Sequence, residues 1–196
     1  MTTALDRPGT GRVAIVAGGS RGAGLATVCL LAASGFAVVV NYLHDQRAAE
    51  SAVESILADR GDAVAIRADI ADDLDVARLF AETIAVFGGI DVVVHAACGR
   101  PAGVVSREAA RHVRDHGAIV ALGAGRGAGA AVLDAPTRML ARELRGRDIA
   151  VNAVSPGDGA PGTDDLVADV VAFLLSEPGH RLTARVLRVG DGDWRR

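Results

Sequence analysis

The chain has 196 residues, 50% of them hydrophobic, 23% charged and only 3% aromatic, and a formal net charge of −3. That is material for one core and too little for two ordinary domains, so residues 1–196 are expected to form a single domain with a flexible N-terminal stretch over 1–11. A slightly acidic chain poor in aromatic rings is not expected to bind nucleic acid, and apolar runs broken early by charges or glycines are not expected to enter a membrane; the expected location is cytoplasmic.

Short β-rich runs alternate with longer segments of helical period, the pattern of repeated βα units around a parallel sheet. Strands are predicted at Arg12–Ala17, Phe36–Asn41, Ala63–Ala68, Asp91–His95, Ala118–Leu122, Ile149–Val154 and Arg185–Val189. All are rich in Val, Ile and Ala, as strands covered on both faces should be. Helices are predicted between them at about 22–34, 45–59, 72–87, 104–115, 130–146 and 164–176. The expected fold is α/β: a single Rossmann-type, doubly wound domain of about seven parallel strands with helices on both faces. Gly123–Ala131 is a Gly/Ala low-complexity loop that reads as a shortened connector. Cys29 and Cys98 lie far apart without ligand spacing, so neither a disulfide framework nor a metal site is expected; Cys29 is assigned to the core.

The first strand runs directly into Ala17-Gly18-Gly19-Ser20-Arg21-Gly22-Ala23-Gly24, and a helix follows. Glycines at these positions allow a tight turn, close backbone approach to a pyrophosphate, and close helix–strand packing. The pyrophosphate would rest on the helix N-terminus, where free N–H groups and the helix dipole favour negative charge. Strand, turn and helix inside a βαβ unit supply the context that glycine spacing alone lacks.

This G-x-x-x-G-x-G spacing resembles the short-chain dehydrogenase/reductase family, and the likeness continues along most of the chain. Asp69-Ile70 after the third strand is similar to the family's adenine-contacting Asp, and Phe87-Gly88-Gly89-Ile90-Asp91 to its lead into the fourth strand. Ile149-Ala150-Val151-Asn152-Ala153-Val154-Ser155-Pro156-Gly157 resembles its sixth strand and Pro-Gly turn, and Phe173–Ser176 followed by Val186–Gly192 its last helix and strand. The resemblance implies cofactor contacts from Gly18, Ser20, Arg21, Gly22, Gly24, Asp69, Ile70, Ala96, Pro156 and Gly157, with Asn41 and Tyr42 at the end of the second strand.

The nucleotide expected is NADP(H). An NAD site places a carboxylate after the second strand to hold the ribose 2′-hydroxyl, and that charge repels a 2′-phosphate. Here the position is Asn41, followed by Tyr42, while Arg21 offers a planar fork of donors; the plainer alternative is that Arg21 is a solvated surface charge.

The family's chemistry rests on a Tyr acid with a Lys four residues later, a Ser that holds the substrate oxygen, and a relay Asn. All 21 basic residues here are arginine and Tyr42 is the only tyrosine, so no register contains Tyr-x-x-x-Lys. Alignment puts Ala124 at the Ser, Arg126 at the Tyr and Ala130 at the Lys; no catalytic residue is assigned. Short connections after the fourth strand and after Pro156-Gly157 imply loss of the Asn-bearing turn and of the substrate-covering segment. Two readings of His95 stay open, a replacement acid/base and a hydrogen-bonded strand-end histidine, while Cys98 reads as a small packed residue. His112 and His116 read as a solvated face. The expected role is a non-catalytic, oxidoreductase-like subunit, either a homo-oligomer or paired with an active paralogue, with Val186–Val189 as a contact surface; the alternative is a divergent reductase or a non-redox enzyme on the same fold.

Overall fold

The structure, a computed structural model, describes residues 11–96, 103–123, 129–156 and 162–190. Of the N-terminal stretch expected to be flexible, only Gly11 falls within them. Strands β1 (Val13–Ala17), β2 (Ala37–Tyr42), β3 (Ala63–Arg67), β4 (Ile90–His95), β5 (Val113–Leu122), β6 (Ala150–Pro156) and β7 (Arg185–Val189) form one parallel sheet in the order β3-β2-β1-β4-β5-β6-β7. The chain starts in the middle, winds outward to β3, and crosses back to place β4 against the other side of β1. That reversal makes a crevice at the carboxyl ends of β1 and β4, where such sheets bind ligands.

Helices α1 (Gly22–Ala33), α2 (Gln46–Ala58) and α6 (Thr163–Leu174) cover one face, with Val28, Leu31, Ile56, Val167 and Val171 packed on Val16, Val38, Val40 and Val94. Helices α3 (Asp73–Phe87), α4 (Gly103–His112) and α5 (Gly129–Glu143) cover the other, where Leu79, Phe80, Val105, Ala109 and Ala141 meet Ile15, Val93, Ile119 and Val151. Every residue of β1 and β2 is buried, because alternation sends successive side chains into two separate cores. A short helix α7 (Glu177–His180) leads from α6 towards β7, capped by the Ser176 hydroxyl, which accepts from the Gly179 N–H. No helix among the described residues is long and apolar enough to cross a membrane.

The main departure from the sequence-based expectation lies between α4 and β5. The helix ends at His112 rather than near 115, and β5 begins at Val113 rather than Ala118, with a register shift opposite Ile90/Val92. Arg147 explains the early switch. Its guanidinium donates to the carbonyls of Ala110 (2.7 Å) and Val113 (2.5 Å) and to Asp115 Oδ1 (2.7 Å), satisfying acceptors that a longer helix would have used itself. Two smaller differences matter for the site: β2 includes Tyr42, and β6 runs on to Pro156.

The edge strand β7 is held by side chains as well as by its ladder. Asn152 is buried; its Nδ2 donates to the Leu182 carbonyl (2.7 Å) and its Oδ1 accepts from the Arg185 N–H (3.1 Å). Asn152→Leu preserves size but strands both backbone groups, so urea unfolding should show a loss of about 1–3 kcal/mol. An unchanged midpoint would mean that the ladder alone fixes β7.

Candidate nucleotide-binding site

The turn after β1 is fixed from two directions. Gly18 (φ +85°) and Gly22 (φ +55°) adopt left-handed backbone that other residues rarely take. Gly24 lies in the first turn of α1, where a Cβ would collide with the Gly18 carbonyl and lie 3.1 Å from the Ala96 Cβ. The helix can therefore seat its N-terminus against the end of β1 only with glycine at this point. Ala96, just beyond β4, closes the same contact and donates its N–H to the Ala17 carbonyl (2.7 Å).

Asn41 holds the turn from the other side. The Gly18 N–H donates to Asn41 Oδ1 (3.2 Å) and the Gly19 N–H to the Asn41 carbonyl (3.0 Å). The amide Nδ2 donates to the carbonyls of Ile66 (3.2 Å) and Ala68 (3.1 Å). One buried side chain thus ties the turn to β2 and to the end of β3. Both ends of the amide are engaged with backbone. Tyr42, also expected near the nucleotide, is buried in the core beneath α1 and α2.

The remaining positions divide by exposure. Arg21 is exposed and extended (φ −160°) at the N-cap of α1, and no side chain caps that helix. Ser20 is buried behind it. Asp69 is half-buried at the end of β3; its Oδ1 accepts from the Ala71 N–H (2.9 Å), and its own N–H donates to Asp75 (2.8 Å). Ile70 points into the core, leaving only its backbone for a ligand. Pro156 ends β6, paired with Val189. Gly157, Cys98, Ala124 and Arg126 lie outside the described residues. The arrangement fits a dinucleotide: an uncapped helix N-terminus with unused N–H groups, an arginine at its mouth, and a cradle that admits no Cβ at Gly24.

His95 ends β4 between Ala17 and Ala121, at the crevice. It is buried, its Nε2 has no hydrogen-bond partner among the described residues, and burial pushes its pKa below the ordinary histidine value. Cys29, assigned to the core from sequence, is instead exposed on α1.

Residues 12–124 match the sequence profile of the short chain dehydrogenases. The chain belongs to this family. It is 30% identical to versicolorin reductase 1 of Aspergillus parasiticus, over an alignment covering 94% of this chain and 97% of the relative. It is 32% identical to a short-chain type dehydrogenase/reductase of Picea abies, covering 93% and 92%. Among solved structures, a short chain dehydrogenase of Burkholderia cenocepacia in complex with NADP superposes with a TM-score of 0.82 at 28% identity, covering 93% of this chain and 98% of that one. A metagenomic blue fluorescent protein in complex with NADPH gives 0.80 at 28% identity, covering 95% and 99%. The alignment with the Aspergillus enzyme runs over 254 positions against 196 residues here, so that relative has at least 58 residues without a counterpart. Residues 96–112 connect β4 to β5, and 157–162 connect β6 to α6.

The His95 environment predicts a pH dependence. The folded pKa is depressed, so the unfolded chain, with a pKa of about 6.5, takes up the proton first. The stability associated with neutral His95 is complete above about pH 6.5 and is lost as pH falls from there towards the depressed folded value. Urea midpoints compared at about pH 7.5 and pH 5.5 should fall further for the wild type than for His95→Asn; equal drops would show that His95 does not carry the effect.

Proposed function

We propose that the chain is an NADP(H)-binding member of its family that does not perform the family's Tyr/Lys-based carbonyl reduction, and that it works as a non-catalytic or partner-dependent subunit. The observation that carries this reading is the absence of lysine combined with a single tyrosine in a buried position. Donation of a proton by tyrosine near neutral pH needs a neighbouring cation to lower a pKa of about 10. Tyr42 ends β2, three strand spacings from β5 across β1 and β4, or about 14 Å. It is too far away to serve a carbonyl at the carboxyl end of β5.

NADP(H) is favoured by the exposed Arg21 at the turn and by the absence of a carboxylate at Asn41 and Tyr42. NADP and NADPH in the two structural neighbours agree with that choice. The rival reading, a reductase rewired onto His95, draws on its unpartnered Nε2 at the crevice. Burial opposes it: pushing the pKa down favours the neutral ring, which is a far weaker general acid than imidazolium. The short connections of 96–112 and 157–162 also leave little chain with which to cover a substrate.

Calorimetric titration should show NADPH binding more tightly than NADH, and Arg21→Glu should weaken NADPH by about tenfold to a hundredfold. Equal affinity for the two nucleotides, or binding of neither, overturns the cofactor assignment. The isolated chain should oxidise NADPH no more than trace amounts against a panel of ketones and acyl-thioesters. Robust turnover abolished by His95→Ala would establish the rewired reductase instead.

A further inference from the structure

Six residues separate β6 from helix α6, which begins at the same edge of the sheet from which α1 starts. The two helices pack against each other on one face of the sheet and run parallel, so their positive N-terminal ends lie together. Asp164, in the first turn of α6, faces the start of α1: a Cβ built on Gly22 would lie 3.6 Å from its Oδ2 and 3.9 Å from its Oδ1. Gly22 is the first residue of α1 and the second glycine of the phosphate-binding turn. Helix α1 has no acidic residue in its own first turn and no side-chain cap. The carboxylate beside its N-terminus therefore comes from the far end of the chain. Asp164 and Asp165 are both exposed in the first turn of α6, but only Asp164 is among the atoms nearest a Cβ built on Gly22.

We propose that Asp164 is an internal stand-in for the nucleotide phosphate, stabilising the uncapped end of α1 in the empty protein and opposing the pyrophosphate when a nucleotide arrives. It thereby sets nucleotide affinity. This inference rests on the reading of the Gly18–Gly24 turn as a phosphate site. One carboxylate serves two parallel helix dipoles, so the folded chain without nucleotide gains from its charge. A dinucleotide brings at least two negative charges to the same N–H groups, and like charges a few ångströms apart near a protein surface repel. Binding must move the Asp164 side chain away or bear its repulsion. Arg21, adjacent and exposed, is the cation nearest in sequence that can receive either the carboxylate or the phosphate.

The signature is a single substitution with two effects of opposite sign. Asp164→Asn should lower the melting temperature of the nucleotide-free protein by about 1–3 °C. The same variant should tighten NADPH binding by about threefold to thirtyfold in low salt, with the ratio narrowing towards one in about 1 M salt. Asp165→Asn should lose comparable stability, since it removes a charge from the same helix turn, but leave NADPH affinity unchanged. Wild type that binds NADPH no more weakly than Asp164→Asn overturns the inference and leaves the cofactor assignment standing. Failure of both proteins to bind, shown by calorimetry on samples of normal melting behaviour, overturns the phosphate-site reading and this inference with it.

Discussion

The architecture turns on the close approach of α1 to the carboxyl end of β1. Glycine at position 24 lets the helix N-terminus sit against the Gly18 carbonyl and Ala96, so one contact joins the first strand, the first helix and the end of β4. The approach creates the crevice where the strand order reverses, and it aims the helix dipole into that crevice. Asn41 makes the geometry durable by joining the turn, β2 and the end of β3 through one buried amide. A polar group in that position is retained because each of its hydrogen-bonding ends is satisfied; a half-satisfied amide there would weaken the sheet it holds.

The strands and the turn were legible in the sequence because their signals are local. Runs such as Val38-Val39-Val40 and Val92-Val93-Val94 fit only strands covered on both faces, and glycines between a strand and a helix have few other uses. What escaped was set by distant partners. The end of α4 depends on Arg147, thirty-four positions from the carbonyl of Val113 that it captures, and nothing within 104–115 announces that. Cys29 was misplaced because α1 is apolar on nearly every side, so its sequence carries no stripe to mark the buried face. The role of Asn41 was invisible for the same reason as that of Arg147: the acceptors on Ile66 and Ala68 come from a different strand.

The fold rests on two cores built from the strands and helices themselves. One core is closed by α1, α2 and α6 and the other by α3, α4 and α5, and every strand contributes through its middle residues. Segments that cover a substrate hang from the carboxyl edge of such a sheet, so removing them exposes loops rather than core. Chemistry and stability are separable here on physical grounds: hydrophobic burial holds the sheet and helices, whereas proton transfer depends on a few side chains at one edge.

That separation has an electrostatic consequence at the edge itself. Six residues between β6 and α6 bring the N-terminus of α6, with Asp164 and Asp165 in its first turn, to the place where α1 presents its own unused N–H groups. The packing of α6 on α1 therefore determines which charge the phosphate side meets. A nucleotide that binds at this turn must displace an internal anion in order to stay, so its affinity reports the balance between the two charges.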